Sequence, residues 1–125
     1  MANKITVSVS LQIAGTQVSA KLAGSSTVNQ VGSNYGEETQ TITESAGVAL
    51  DIPATITEGN LGYLVVKNLD AANPIDIATD DAMLHKIATV LAGQTVLIFP
   101  PGGTVALWGK ATTADVASAF LAVEK

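Results

Sequence analysis

The strongest constraint on the fold is an alternation of apolar and polar residues that runs along most of the chain. Near the start, Ile5, Val7, Val9, Leu11 and Ile13 alternate with polar residues, which predicts a strand with one apolar face. Further short apolar runs follow, each ended by glycine, proline, asparagine or aspartate. They predict strands at 48–52, 62–69, 74–79, 83–90, 95–100, 104–110 and 115–124.

This pattern predicts an all-β protein built as a single β-sandwich, jelly-roll-like or Ig-like. About nine or ten short strands with turn signals every eight to twelve residues are typical of that class. The alternation pauses at Gly15 and resumes until Gly24–Ser26. Residues 27–44 are polar and predict either two exposed strands around a turn at 32–36 or an ordered loop. Pro100–Gly103 predicts a tight reversal, with a projecting contact loop as the alternative.

Two segments also fit a helical spacing. Residues 80–91 place Met83, Ile87 and Leu91 on one helical face after a capping aspartate, and residues 112–122 are rich in alanine. Both lie among predicted strands joined by short connections. We therefore predict strands for both.

Composition predicts one domain, residues 1–125, that associates with other subunits. Hydrophobic residues make up 47% of the chain and charged residues only 14%, against roughly 25% charged in ordinary domains. No apolar run approaches the roughly 18 to 20 residues that span a bilayer, and no leader pattern is seen at the start, so no membrane partner is expected. Stable assembly would cover the surplus apolar surface. We expect a homo-oligomer, with a trimer as the preferred number.

The charge balance argues against nucleic acid as a partner. Six basic residues, all lysine, oppose eleven acidic residues, for a formal net charge of −5 at pH 7. Binding to a phosphate backbone needs clustered lysine and arginine. Cysteine is absent, which excludes disulfides and thiolate metal ligands.

Catalytic and metal-binding patterns are not recognisable in the sequence. His85 is the only imidazole, and it lies between apolar residues. Asp76, Asp80 and Asp81 lack the spacing of a calcium loop, and an aspartate pair at a turn is ordinary turn chemistry. We predict no enzymatic activity, no cofactor and no metal site.

Two groups of residues are candidates for protein contacts. Trp108 alternates with Leu107 and shares its side with Lys110, while Tyr63 shares its side with Lys67. Because lysine favours solvent, the two aromatic residues are predicted to face outward, where such residues dominate interface energetics. The alternative places Trp108 in the core.

The second group lies in residues 1–13, which are interpreted as either an exchanged strand or an edge strand of its own sandwich. Strand exchange with a neighbouring chain would use main-chain hydrogen bonds, with apolar anchorage from Ile5, Val7, Val9 and Leu11.

The second half of the chain resembles a family of small structural proteins of tailed bacteriophages. The resemblance is carried by Gly62–Asp70, Asn73, Leu91–Ile98 and Val116–Glu124, and more loosely by residues 31–42. It implies a non-enzymatic virion protein that is assembled in the host cytoplasm. Within the particle, the resemblance favours a capsid decoration (cement) protein of the phage head, which would stabilise the head by binding the major capsid protein over capsomer junctions.

Two other functions remain open at this point. A head–tail connector, neck or tail subunit would form a single ring or tube, and its copy number per particle would be correspondingly low. A surface carbohydrate-binding module would use aromatic residues as a platform, which a glycan array would detect.

Overall fold

The computed structural model describes residues 3–14, 19–30, 34–56, 59–100 and 106–124. These ranges contain strands and no helix, which confirms the all-β prediction, including strands where a helix was the alternative. The strands are β1 (Lys4–Ala14), β2 (Ser19–Asn29), β3 (Tyr35–Ile42), β4 (Val48–Ala49), β5 (Leu61–Asn68), β6 (Ile75–Ala78), β7 (Lys86–Val90), β8 (Thr95–Ile98), β9 (Trp108–Ala111) and β10 (Val116–Glu124).

The chain divides into two compact units, Met1–Ser33 and Asn34–Lys125. The first contains the antiparallel pair β1–β2, and the second contains the other eight strands. The prediction of one domain over residues 1–125 stays a prediction. The predicted reversal at Pro100–Gly103 lies mostly outside the described residues.

The first unit is a long two-stranded β-ribbon. Its register runs from Lys4 opposite Asn29 to Ala14 opposite Ser19. The expected break at Gly24–Ser26 is wrong, because this segment is paired with β1 and the strand continues through it. At the base of the ribbon, the N–H of Gln30 donates to the carbonyl oxygen of Asn3 at 2.8 Å. β1 is thus one strand of a hairpin in its own two-stranded sheet.

The second unit is a sandwich with the strand order of a jelly roll. Sheet I has the order β3-β10-β5-β8, and sheet II has the order β4-β9-β6-β7. The pairs are nested like a rolled-up hairpin: β3 with β10, β4 with β9, β5 with β8 and β6 with β7. Two further pairs, β5 with β10 and β6 with β9, complete the sheets. Nested antiparallel strands in two sheets define the jelly roll among sandwich folds.

A single hydrophobic core joins the inner faces of the two sheets. It includes fully buried Leu64 and Val66 from sheet I, and Ile75 and Ile77 from sheet II. Each such side chain contributes about 1.5 to 3 kcal/mol by leaving water. The alternation seen in the sequence has this origin: in β10, every second residue from Val116 to Glu124 is buried in the sandwich.

The connection from β5 to β6 is held by a buried asparagine. Asn68 is fully buried, and its Nδ2 donates to the carbonyl oxygens of Asn73 at 2.8 Å and Val90 at 3.1 Å. Its Oδ1 accepts the N–H of Asp70 at 2.9 Å. The Asp70 carboxylate in turn accepts the N–H groups of Ala72 and Asn73, which lower the pKa of Asp70.

The start of β7 differs from the strand predicted at 83–90, because residues 80–85 form a turn. Asp80 accepts the N–H groups of Leu84 at 2.9 Å and His85 at 2.7 Å, and these bonds lower its pKa. Met83 has a φ of 59°, a conformation that interrupts a strand. The strand therefore begins only at Lys86.

Candidate functional site

The outer face of sheet I carries a cluster of apolar and aromatic side chains. Strand alternation turns these residues away from the core, and register places them side by side on neighbouring strands. We call this set the aromatic face: Tyr35, Tyr63, Val65, Leu97, Phe99, Leu121 and Val123. Its outermost members, Tyr35 and Phe99, are 69% and 62% exposed. The ring of Phe99 meets that of Tyr63 edge-on, with centroids 5.5 Å apart and an interplanar angle of 73°.

A shallow hollow of about 600 Å³ adjoins the aromatic face. Its floor includes the small side chain of Ala119 on β10, and its sides include Glu37 on β3 and Lys67 on β5. Glu37 and Lys67 are both exposed and lie on opposite sides of β10. The hollow therefore has an acidic side and a basic side.

The outer face of sheet II is polar and charged. Asp76 on β6 accepts hydrogen bonds from Lys86 Nζ at 2.7 Å and from Thr89 Oγ1 at 2.6 Å. Burial by itself raises the pKa of Asp76, but the bonds from Lys86 and Thr89 and the charge of Lys86 outweigh burial, so the pKa lies below its ordinary value. Lys110 on β9 is the register neighbour of Asp76. A hollow of about 330 Å³ is lined by Asp76, Lys86 and Lys110, together with Glu44. The acid is thus neutralised within this face.

Trp108 lies on the outer face of sheet II, apart from the other predicted aromatic contact. It is half-buried and shares its side with half-buried Lys110, while Leu107 and Gly109 are buried. Tyr63 and Lys67 lie together on the outer face of sheet I. The structure therefore places Tyr63 and Lys67 on the same face of sheet I and Trp108 on sheet II. Its role in a contact stays a prediction.

The four predicted apolar anchors of β1 lie on one face of the β-ribbon. Ile5 and Val7 are half-buried, whereas Val9 and Leu11 are 60% and 67% exposed. The opposite residues on β2 include Ser26 and Gly24, the latter with open space where a Cβ would lie. The ribbon thus presents an aliphatic ridge on β1, with small residues opposite Val7 and Val9.

Charge is divided unequally between the two units. The first 33 residues contain two lysines, Lys4 and Lys21, and no acidic residue, so all eleven acids belong to the second unit. This asymmetry can be read directly from the residues, although no motif marks it. Strand alternation does not mark Tyr35 and Phe99 as contacts, because each flanks a segment dominated by polar residues or prolines.

The one histidine belongs to a turn. His85 Nδ1 lies 3.2 Å from Asp80 Oδ1, in the same turn that Asp80 closes through backbone bonds, and the histidine side chain is 75% exposed. Among the described residues, no three side chains of histidine, cysteine, aspartate or glutamate are grouped as a metal site would require. In the same part of the chain, no helix has the length and apolarity needed to cross a bilayer.

No family model, curated protein or solved structure matches this chain. Its class therefore rests on the described residues themselves. They define an all-β protein in which a jelly-roll unit is preceded along the chain by a separate β-ribbon.

Proposed function

We propose that this chain is a non-enzymatic structural protein of a bacteriophage virion, and specifically a decoration protein of the head. In this proposal it forms a homo-oligomer, with a trimer as the expected number, and binds the major capsid protein over capsomer junctions. Such a protein would be made and assembled in the host cytoplasm and would remain in the particle.

The observation that carries the proposal is the nested eight-strand topology of the second unit. Jelly rolls recur in viral capsid proteins and in lectins, and this support is an analogy at the level of fold. It agrees with the independent resemblance of residues 62–124 to phage structural proteins.

The β-ribbon supports attachment to a neighbouring protein. An isolated two-stranded hairpin is only marginally stable in water, so it gains stability when its apolar side is covered. Val9 and Leu11 leave that side exposed. In the proposal, the ribbon binds the capsid protein, and its apolar contacts come from Ile5, Val7, Val9 and Leu11.

A carbohydrate-binding module is the second candidate, since Tyr35 and Phe99 are exposed on one sheet face. Aromatic side chains are common platforms for ligands with an apolar face. Binding to a glycan array by the purified protein, lost in Tyr35→Ala and Phe99→Ala, would favour this candidate.

The decisive experiment is quantitative mass spectrometry of purified particles that carry this chain. A copy number matching the capsomer junctions is expected for a decoration protein, and a single ring per particle would indicate a connector. Absence from the particle would contradict any virion role.

Co-sedimentation with undecorated capsids then tests the individual contacts. Trp108→Ala should weaken particle binding by about 2 kcal/mol, the usual threshold of an interface hot spot. Because Trp108 is only half-buried, the melting temperature should change little. A large drop in melting temperature with unchanged binding would instead assign Trp108 a structural role.

A further inference from the structure

The aromatic face leaves two aromatic side chains, Tyr35 and Phe99, largely exposed. An aromatic side chain presents roughly 150 to 250 Å², so Tyr35 and Phe99, at 69% and 62% exposure, leave on the order of 250 Å² uncovered between them. The five half-buried members of the aromatic face enlarge this area. The total reaches the several hundred Å² that marks interaction sites on monomeric proteins.

The charges beside the aromatic face are arranged in a self-complementary way. Glu37 on β3 is the register neighbour of Leu121 on β10, and Lys67 on β5 is the register neighbour of Ala119 on β10. The acid and the base thus flank the same central strand, one on each side. A second copy rotated about an axis parallel to β10 would turn its β5 side toward the β3 side of the first.

We infer that the aromatic face is the surface through which copies of this chain associate, around an axis parallel to β10. In this arrangement Leu121 lies near the axis, and Glu37 of each copy meets Lys67 of the next. Three copies around one axis satisfy this arrangement, because the aromatic face of each copy then contacts two neighbouring copies. The inference deepens the proposed function and rests on its homo-oligomer.

Area and charge together point to a second copy as the occupant. A standard interface covers about 800 Å² on each partner, and a ring of three lets two neighbours cover one sheet face. The two charged positions differ by two residues, roughly 7 Å, along β10, which the long glutamate and lysine side chains can span. Opposite charges there favour this arrangement, whereas like charges would oppose association. An acid on one side of β10 and a base on the other make the face complementary to a second copy of itself.

A charge-swap experiment on the full-length chain tests the inference. Glu37→Lys and Lys67→Glu each place like charges together, so each should raise the concentration of half-dissociation about tenfold or more. The double variant Glu37→Lys/Lys67→Glu should restore association. An equal mixture of the two single variants should associate more tightly than either variant alone but less tightly than the wild type, because a mixed ring of three has two opposite-charge contacts and keeps one like-charge contact.

The measurement is molar mass by light scattering across a dilution series, at low and high salt. The wild type is expected at three times 12.7 kDa, and the charge effects should shrink at high salt. Asp81→Lys is the matched control, because Asp81 is exposed on the turn before β7, and it should leave association unchanged. Phe99→Thr, which removes the ring and introduces a β-branched residue that suits extended backbone, should dissociate the oligomer without loss of the strand signal in circular dichroism.

Each result has a distinct meaning. If the wild type associates and every variant associates equally, the aromatic face is not the interface, while the homo-oligomer remains. If single variants weaken association but the double variant does not recover, the Glu37–Lys67 pairing is wrong. A monomeric wild type at every concentration overturns the inference, whereas the particle copy number tests the virion role separately. If the protein bound glycans through Tyr35 and Phe99 and did not self-associate, the aromatic face would be a carbohydrate-binding surface and the inference would be wrong.

Discussion

At the scale of single residues, stability depends on polar groups that the alternation does not mark. Asn68 occupies a core position of β5 and connects the next loop to β7 through three hydrogen bonds. The sequence indicates only a turn former at this position, because the bonded carbonyl of Val90 lies far along the chain. A buried amide with all its partners present is therefore a product of tertiary packing.

Replacement of Asn68 by alanine should lower the free energy of unfolding by about 2 kcal/mol. The variant leaves the buried carbonyl oxygen of Val90 and the part-buried carbonyl oxygen of Asn73 and N–H of Asp70 without this partner, and a buried polar group without a partner is costly. Urea unfolding measures the effect, with exposed Asp81→Ala as a control that should change little. A loss of less than about 0.5 kcal/mol would show that water replaces the amide.

Acid should destabilise the protein through carboxylates that are hydrogen-bonded in the fold. The pKa values of Asp70, Asp76 and Asp80 are lowered from 3.8, so the unfolded chain binds more protons than the folded chain in the acidic range. Their stabilisation is present above the unfolded pKa and is lost as pH falls through the lowered values.

In Asp76→Asn, the free energy of unfolding should depend less steeply on pH below about pH 4 than in the wild type. At neutral pH it should cost about 1 kcal/mol or less, because the partner Lys86 is largely exposed. Unfolding curves at several pH values measure both effects, and exposed Asp81→Asn serves as the comparison. If Asp76→Asn lost stability in acid as steeply as the wild type, Asp76 would not contribute to the acid dependence.

At the scale of elements, β3 is joined by side-chain contacts to the end of β4 and to the residues that follow it. Gln40 donates from Nε2 to the carbonyl oxygen of Ala49 at 2.8 Å and accepts the N–H of Asp51 at 3.0 Å. A Cβ at Gly36 would overlap the ring of Pro53. These contacts join β3, an edge strand of sheet I, to β4, an edge strand of sheet II, and to the residues after it.

Gly36→Ala should therefore destabilise the second unit by about 1 to 3 kcal/mol, because the Pro53 ring cannot move aside by changing rotamer. Thermal melts measure the loss. In a Pro53→Ala background the same substitution should cost clearly less, since the overlapping ring atoms are gone. Equal costs in both backgrounds would show that the close approach is not the cause.

At the scale of the whole molecule, the two units differ in charge and in their share of the described hydrophobic core. The described hydrophobic core is formed by residues from Ile42 to Ala122, and none of its members belongs to the β-ribbon. The ribbon carries Lys4 and Lys21 without an acid, while the eleven acids belong to the second unit. This division supports separate roles for the ribbon and the jelly roll.

Removal of residues 1–33 should leave a folded, cooperatively melting jelly roll, because its core is retained. The truncated chain should lose binding to undecorated capsids and keep its self-association, which is proposed to use the aromatic face. Co-sedimentation and light scattering measure the two properties on one sample. Unfolding of the truncated chain would contradict the separate roles of the ribbon and the jelly roll, and retained capsid binding would assign attachment to the second unit.

The sequence by itself determined the strands, since alternation is a local property that each strand carries in its own residues. It predicted the all-β class and the strands near 62–69 and 115–124, which the structure confirms with small shifts at their ends. It also placed Trp108 on the side of Lys110. Local turn chemistry at Asp70 and Asp80 was equally visible, because an aspartate and the N–H groups that it accepts are only a few residues apart.

Only the tertiary structure decided which strands are neighbours. Tyr35 and Val123 are adjacent in sheet I although the whole jelly roll separates them in sequence. The arrangement of all the strands in two sheets creates the aromatic face, places Tyr63 and Trp108 on different sheets and buries Asn68. It follows from the packing of two sheets around one core, which depends on all eight strands together. No single strand carries that information, because register between distant segments is set by the side chains that they bury in common.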